Sequence, residues 1–140
     1  MRATDIAARL RDRCPSLRVV LTAAQGAEPT AYPAAYVVLL RRVVSPNPLV
    51  AGAHDHVLTW HYAVDVTVRS AREPATGGPA VDALHDVLDE IDQALAGWAP
   101  YEDWGPLELG DGELLGYGAG WCTWRQHVRT WTVLRTYREP

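Results

Sequence analysis

Apolar and polar side chains alternate almost without a fault from Val57 to Ser70. Leu58, Trp60, Tyr62, Val64, Val66 and Val68 fall on one face of an extended chain, and Thr59, His61, Ala63, Asp65, Thr67 and Arg69 on the other. Successive strand side chains point to opposite sides of a sheet, so this period predicts one long half-buried strand. Its β-branched and aromatic members suit a pleated surface. A strand of this kind needs partners on its edges and an apolar layer against its Leu58–Val68 face.

The rest of the chain supplies both. Thr4 reads as the cap of a first helix, with Asp5 at the positive end of the helix dipole. Ile6, Leu10 and Cys14 share a face there, and Pro15 ends the helix. A short strand follows over Leu17–Thr22, then a loop over Ala23–Thr30. Tyr32–Val44 is a second long apolar run, and the unbroken stretch Tyr36-Val37-Val38-Leu39-Leu40 predicts a strand covered on both faces. Ser45–His56, with Pro46, Pro48 and Gly52, breaks all regularity and is long for a hairpin connection.

Beyond the alternating strand, Ala71–Pro79 reads as a loop leading into a helix over Ala80–Ala96. Leu84, Val87, Leu88, Ile91 and Leu95 form its buried stripe, and Gly97 its left-handed terminator. Leu107–Leu109 and Leu114–Tyr117 suggest two short strands, and Trp121–Tyr137 a last long one. In that last run Cys122, Trp124 and Val128 keep one phase, whereas Trp131, Val133 and Tyr137 keep the other. A bulge near Arg129–Thr130 would put both sets on one face. The order of elements predicts an α+β fold: a single, mostly antiparallel sheet with two helices packed on one face, in one domain over residues 1–140.

Composition narrows the function classes. The net charge of −4 argues against sequence-independent grip on nucleic acid, which needs a basic excess. All 13 basic residues are Arg, which reads as a coding bias. No apolar run reaches the length of a membrane span, and Met1–Leu10 lacks the apolar centre of a secretory signal. Cys14 and Cys122 are then expected to be reduced thiols of a cytosolic protein.

Two clusters have metal or acid–base chemistry. His54, Asp55, His56 and His61 offer imidazole and carboxylate donors, but no further ligand arrives at a recognised spacing. Asp82, His85 and Asp89 follow helical spacing, which is also the pattern of a solvated helix face. A small metal-dependent enzyme built on either group is one function class the chain could serve. Against it, serine is confined to Ser16, Ser45 and Ser70, and no nucleophile elbow, zinc-binding helix or phosphate loop is present. Gly116, Gly118 and Gly120 instead read as a bend or a close backbone approach. No cofactor, catalytic residue or metal ligand is expected. Four of the tryptophans, Trp104, Trp121, Trp124 and Trp131, crowd the C-terminal third, and such aromatics are enriched at protein interfaces.

A second line of reading comes from the order of features. A short helix leads to a strand, a Pro-bearing strand and a long loop. The alternating strand ends in Val68-Arg69-Ser70 before a Gly77-Gly78-Pro79 loop, and an acidic helix closes with Ala94-Leu95-Ala96-Gly97-Trp98-Ala99-Pro100, followed by Pro106-Leu107. This resembles the small tail terminator (tail completion) proteins of long-tailed bacteriophages and prophages over nearly the whole chain. The Leu95-x-Gly97-Trp98-x-Pro100 stretch is its most specific part. The resemblance implies a structural virion protein that forms a ring, commonly of six copies, caps the tail tube, ends its polymerisation and presents the head–tail joining surface. Implied partners are the chain itself, the tail tube protein and a connector or stopper protein, with DNA passing through the ring and no membrane. The implied location is the host cytoplasm during assembly and then the tail–neck region of the virion. Another neck component, such as a connector adaptor, is the neighbouring alternative. Pro48, Leu49, Val50, His54, Trp124 and Trp131 are the expected interface residues, from the long loop and the tryptophan excess.

Overall fold

The computed structural model describes residues 1–22, 28–49, 52–70 and 78–137. The predicted loops at Ala23–Thr30 and Ala71–Pro79 fall largely outside these residues, as does Val50. Helix α1 spans Ala3–Arg13, and strands β1 (Val19–Thr22), β2 (Ala34–Val44) and β3 (His54–Arg69) follow. Helix α2 is Gly78–Leu95, and strands β4 (Glu108–Gly118) and β5 (Trp121–Thr136) complete the chain. The strands form one five-stranded sheet in the order β1-β2-β3-β5-β4. Only β1 and β2 pair in parallel; the other three pairings are antiparallel.

The alternating strand is the centre of this sheet, as its pattern requires. Tyr62, Val64, Val66 and Val68 are buried on its even-numbered face, against Ile6 and Leu10 of α1 and Leu84, Val87, Ile91 and Leu95 of α2. Both helices therefore lie on one face of the sheet, and their apolar stripes supply the layer that β3 needs. Polar contacts tie the layers together. The Tyr62 hydroxyl donates to the Met1 carbonyl. Arg9 donates from Nε to the Ala94 carbonyl at 2.9 Å, joining the helices. Gly97 holds φ +77° just beyond α2, the left-handed stop expected there.

Several expectations need correction. The N-cap of α1 is Arg2, not Thr4; Asp5 accepts the Arg2 backbone N–H at 2.7 Å and so closes the helix start from inside its first turn. The two short strands predicted after α2 are one strand, β4, whose register shifts between Leu109 and Gly112 and between Leu114 and Gly116. The run Tyr36–Leu40 of β2 is not covered on both faces: Val37 is buried on the helix side, Tyr36 and Val38 on the other face are half-buried, and Leu39 and Leu40 at its far end are exposed. The bulge expected at Arg129–Thr130 does not exist. Strands β3 and β5 pair without interruption from His54↔Thr136 to Arg69↔Trp121. The change of apolar phase in β5 is therefore real, and it places Trp131 and Val133 on the face that carries no helix.

Candidate assembly surface

Register assigns every strand residue to one of two faces. On the helix-free face, paired residues line up in rows across the sheet. Tyr36, Asp65, Arg125 and Glu113 form one row, and Arg41, His61, Arg129 and Glu108 another. Further from the helices come Val43, Thr59 and Trp131, then Val57 opposite Val133, and finally Asp55 opposite Arg135.

The rows nearest the helices are polar and internally matched. Arg125 donates from Nε and Nη2 to the two Asp65 carboxylate oxygens at 2.8 and 2.9 Å, a planar two-point pair. Glu108 accepts from Arg129 Nε at 2.9 Å, and Glu113 lies 3.6 Å from His127 Nε2. His61 sits among these groups. Partial burial, then the charges of Arg41 and Arg129 and the neighbouring His127, hold its imidazole below the ordinary range and favour the neutral form.

The rows beyond are apolar. Val43, Val57, Trp131 and Val133 are exposed to between 41% and 45%, side by side on three adjacent strands. Trp131 is held flat by the chain at its edge. The Gly105 N–H donates to the Trp131 carbonyl at 2.8 Å, and a Cβ at Gly105 would collide with the indole ring. Thr130, on the buried face, donates its hydroxyl to the Gly105 carbonyl at 2.7 Å. Glycine at 105 thus lets the indole lie across the backbone. Asp55 and Arg135 close the band at its far end, 3.3 Å apart. An exposed apolar patch edged by charge is the usual form of a protein contact surface.

The residues predicted from sequence are distributed unevenly around this band. Pro48 and Leu49 are exposed in the β2–β3 connection. That connection is ordered by Asn47, whose Oδ1 accepts the Asp55 and Leu49 N–H groups and whose Nδ2 donates to the Ala53 carbonyl. His54 and His56 belong to β3, not to the loop; their rings stack, with His54 Nδ1 3.2 Å from His56 Nε2. His61 lies on the opposite face of the strand, so the three imidazoles do not converge. Asp82, His85 and Asp89 are exposed on the outer side of α2. Among the described residues, no group of three or more His, Cys, Asp or Glu side chains comes together. Trp131 lies in the band, but Trp124 packs from the other face against the core. Val43, Val57 and Val133 were not anticipated. Their signal was in the sequence: each is apolar in the phase that the central strand reserves for polar residues. Gly120, at φ +76°, makes the tight turn between β4 and β5, the bend that the glycine run suggested.

A model of the phage tail terminator protein family matches residues 1–137. The chain belongs to the phage tail terminator family. The match spans both helices and all five strands, so it includes the apolar band as well as the core. A search of curated proteins found no match. Membership makes this a structural phage protein, a component of the virion, in a family that is not enzymatic. No helix among the described residues of this tail terminator family member is long and apolar enough to cross a membrane.

Proposed function

We propose that the chain acts as a homo-oligomeric ring, of six copies, that caps the tail tube, stops its polymerisation and offers the surface to which the head connector or stopper protein joins. The observation that carries this reading is the apolar band of Val43, Val57, Trp131 and Val133 on the helix-free face. It is too well ordered by register, and too sharply bounded by charge pairs, to be scattered surface carbon. The β2–β3 connection leaves β2 at the same end, so Pro48 and Leu49 join the band as contacts to a neighbouring copy or to the tube; His54, on the opposite face of β3, and Val50, outside the described residues, are contacts expected from the sequence alone. Trp124 lies on the other face of the sheet, beside Val66 and away from the band, so its part in an interface rests on the sequence expectation alone. The ring assembles in the host cytoplasm and remains at the tail–neck region, with DNA passing through it.

Native mass spectrometry and electron microscopy of capped tails test this together. The expected result is a six-copy species, either free or formed on tube ends, and tails of uniform length. A chain that stays monomeric and leaves purified tubes free to elongate would refute the reading.

A further inference from the structure

The two free edges of the sheet differ in charge. Strand β1 pairs only with Ala34–Val37, so among the described residues Val38–Val44 of β2 have no strand on their outer side. That free stretch carries Arg41 and Arg42, both exposed. At the other edge, β4 has no outer partner over Glu108–Gly118 among the described residues, and it carries Glu108, Asp111 and Glu113, all exposed. The helix-free row that begins at Arg41 ends at Glu108. The free stretch of β2 is cationic; β4 itself carries only acidic charge, although Glu108 and Glu113 also contact Arg129 and His127 of β5, with Asp111 as a third carboxylate.

Exposed apolar side chains accompany both sets of charge. Leu39 and Leu40 flank the arginines, and Leu114 and Leu115 follow the acids; Leu39, Leu114 and Leu115 are 48–49% exposed. Charges on a free edge usually discourage pairing with another chain. Edges of opposite sign have the contrary effect when two copies meet in the same orientation, because each edge then faces its complement.

Strand directions allow that meeting. From β2 through β3 and β5 to β4 every step is antiparallel, so β4 runs opposite to β2. A second copy placed alongside in the same orientation brings its β2 antiparallel to the first copy's β4, the pairing with the better hydrogen-bond geometry. The free part of β2 is as long as an ordinary strand. The same step applied repeatedly is head-to-tail, and such contacts close into rings when the rotation per step allows it.

We infer that the acidic β4 edge of one copy docks on the Arg41–Arg42 edge of the next, and that this contact builds the assembly. The inference rests on the ring reading above and specifies which surfaces meet. It also excludes two-fold contacts of β4 with β4 or of β2 with β2, which would set like charges face to face.

Charge reversal tests it. One chain carries Arg41→Glu and Arg42→Glu and so has two acidic edges; a second carries Asp111→Arg and Glu113→Arg and so has two edges of net positive charge. Each alone should lose assembly at least tenfold relative to wild type, by native mass at equal concentration, while melting within a few degrees of it. Mixed one to one, they should recover assembly with the two chains in equal numbers, and a single chain carrying all four changes should also recover. Assembly of each reversed chain at wild-type levels would overturn the inference while leaving the ring reading intact. A wild-type chain that neither assembles nor caps tubes would overturn both. Should either reversed chain fail to fold, Arg41→Cys with Asp111→Cys in one chain decides the matter. Oxidation should link successive copies, since Cys14 and Cys122 are buried; only unlinked chains from an assembled sample would refute the contact.

Discussion

The half of the sheet beneath the helices and the half that extends beyond them are built from the same three strands. Under the helices, β2, β3 and β5 bury most of one face and occupy the other with matched charges such as Asp65–Arg125. Beyond Arg41, His61 and Arg129 the same strands lose their helical cover, yet they gain apolar side chains on the face that was polar. Val57, Trp131 and Val133 are only half-buried within one chain, still exposed to 41–43%, so their apolar surface is not used up by folding. The near half supplies the core of the monomer, and the far half leaves apolar side chains half-exposed, as the assembly proposed above requires.

Substitutions should separate the two halves. The largest effect is expected at Ile91, which is fully buried between α2 and the sheet. Ile91→Ala should destabilise the fold by about 2–5 kcal/mol, from lost burial plus the cavity left behind, as read by chemical denaturation. A loss below about 1 kcal/mol would mean that the covered half is not the stabilising one. Next comes Asp65→Asn, which removes the carboxylate that Arg125 grips in two places. The pair is partly exposed, so a loss of about 1–2 kcal/mol is expected.

A smaller effect concerns pH. The folded His61 holds its proton more weakly than its ordinary value near 6.5, chiefly through desolvation and then through Arg41 and Arg129. Just below that value the unfolded chain binds more protons than the folded one, so stability rises with pH there. Lowering the pH through 6.5 toward the folded value should therefore weaken the fold. His61→Gln should flatten that dependence relative to wild type; an unchanged slope between about pH 7.5 and pH 5.5 would show that the imidazole is not desolvated.

The contrast also explains what could be read from the sequence. The near half was legible because burial and periodicity coincide there: the even-numbered residues of β3 and the stripe of α2 each specify a core face. The far half was misread because apolar residues were assumed to share one buried face. On that assumption the phase change at Trp131 demanded a bulge. The unbroken β3–β5 register shows instead that the second phase faces outward. Likewise, the continuous run Tyr36–Leu40 reads as doubly covered because periodicity cannot distinguish a buried apolar residue from one left bare for a partner. His54 reads as a loop residue because two prolines and a glycine precede it; Asn47 accepts the Asp55 N–H, and β3 begins at His54. The opposite charges of the β2 and β4 edges depend on strand order, which no local pattern encodes.

In the proposed assembly the far half serves contact with other chains and not folding. Val57→Ser with Val133→Ser alters two paired, exposed positions of the band and should change monomer stability by less than about 1 kcal/mol. The decisive measurement is the length distribution of tails, by electron microscopy, when this double variant replaces the wild-type protein during phage assembly. Tails that overrun their normal length, or remain unjoined to heads, while the purified variant melts as wild type, are the predicted result. Tails of normal length joined to heads would contradict the account.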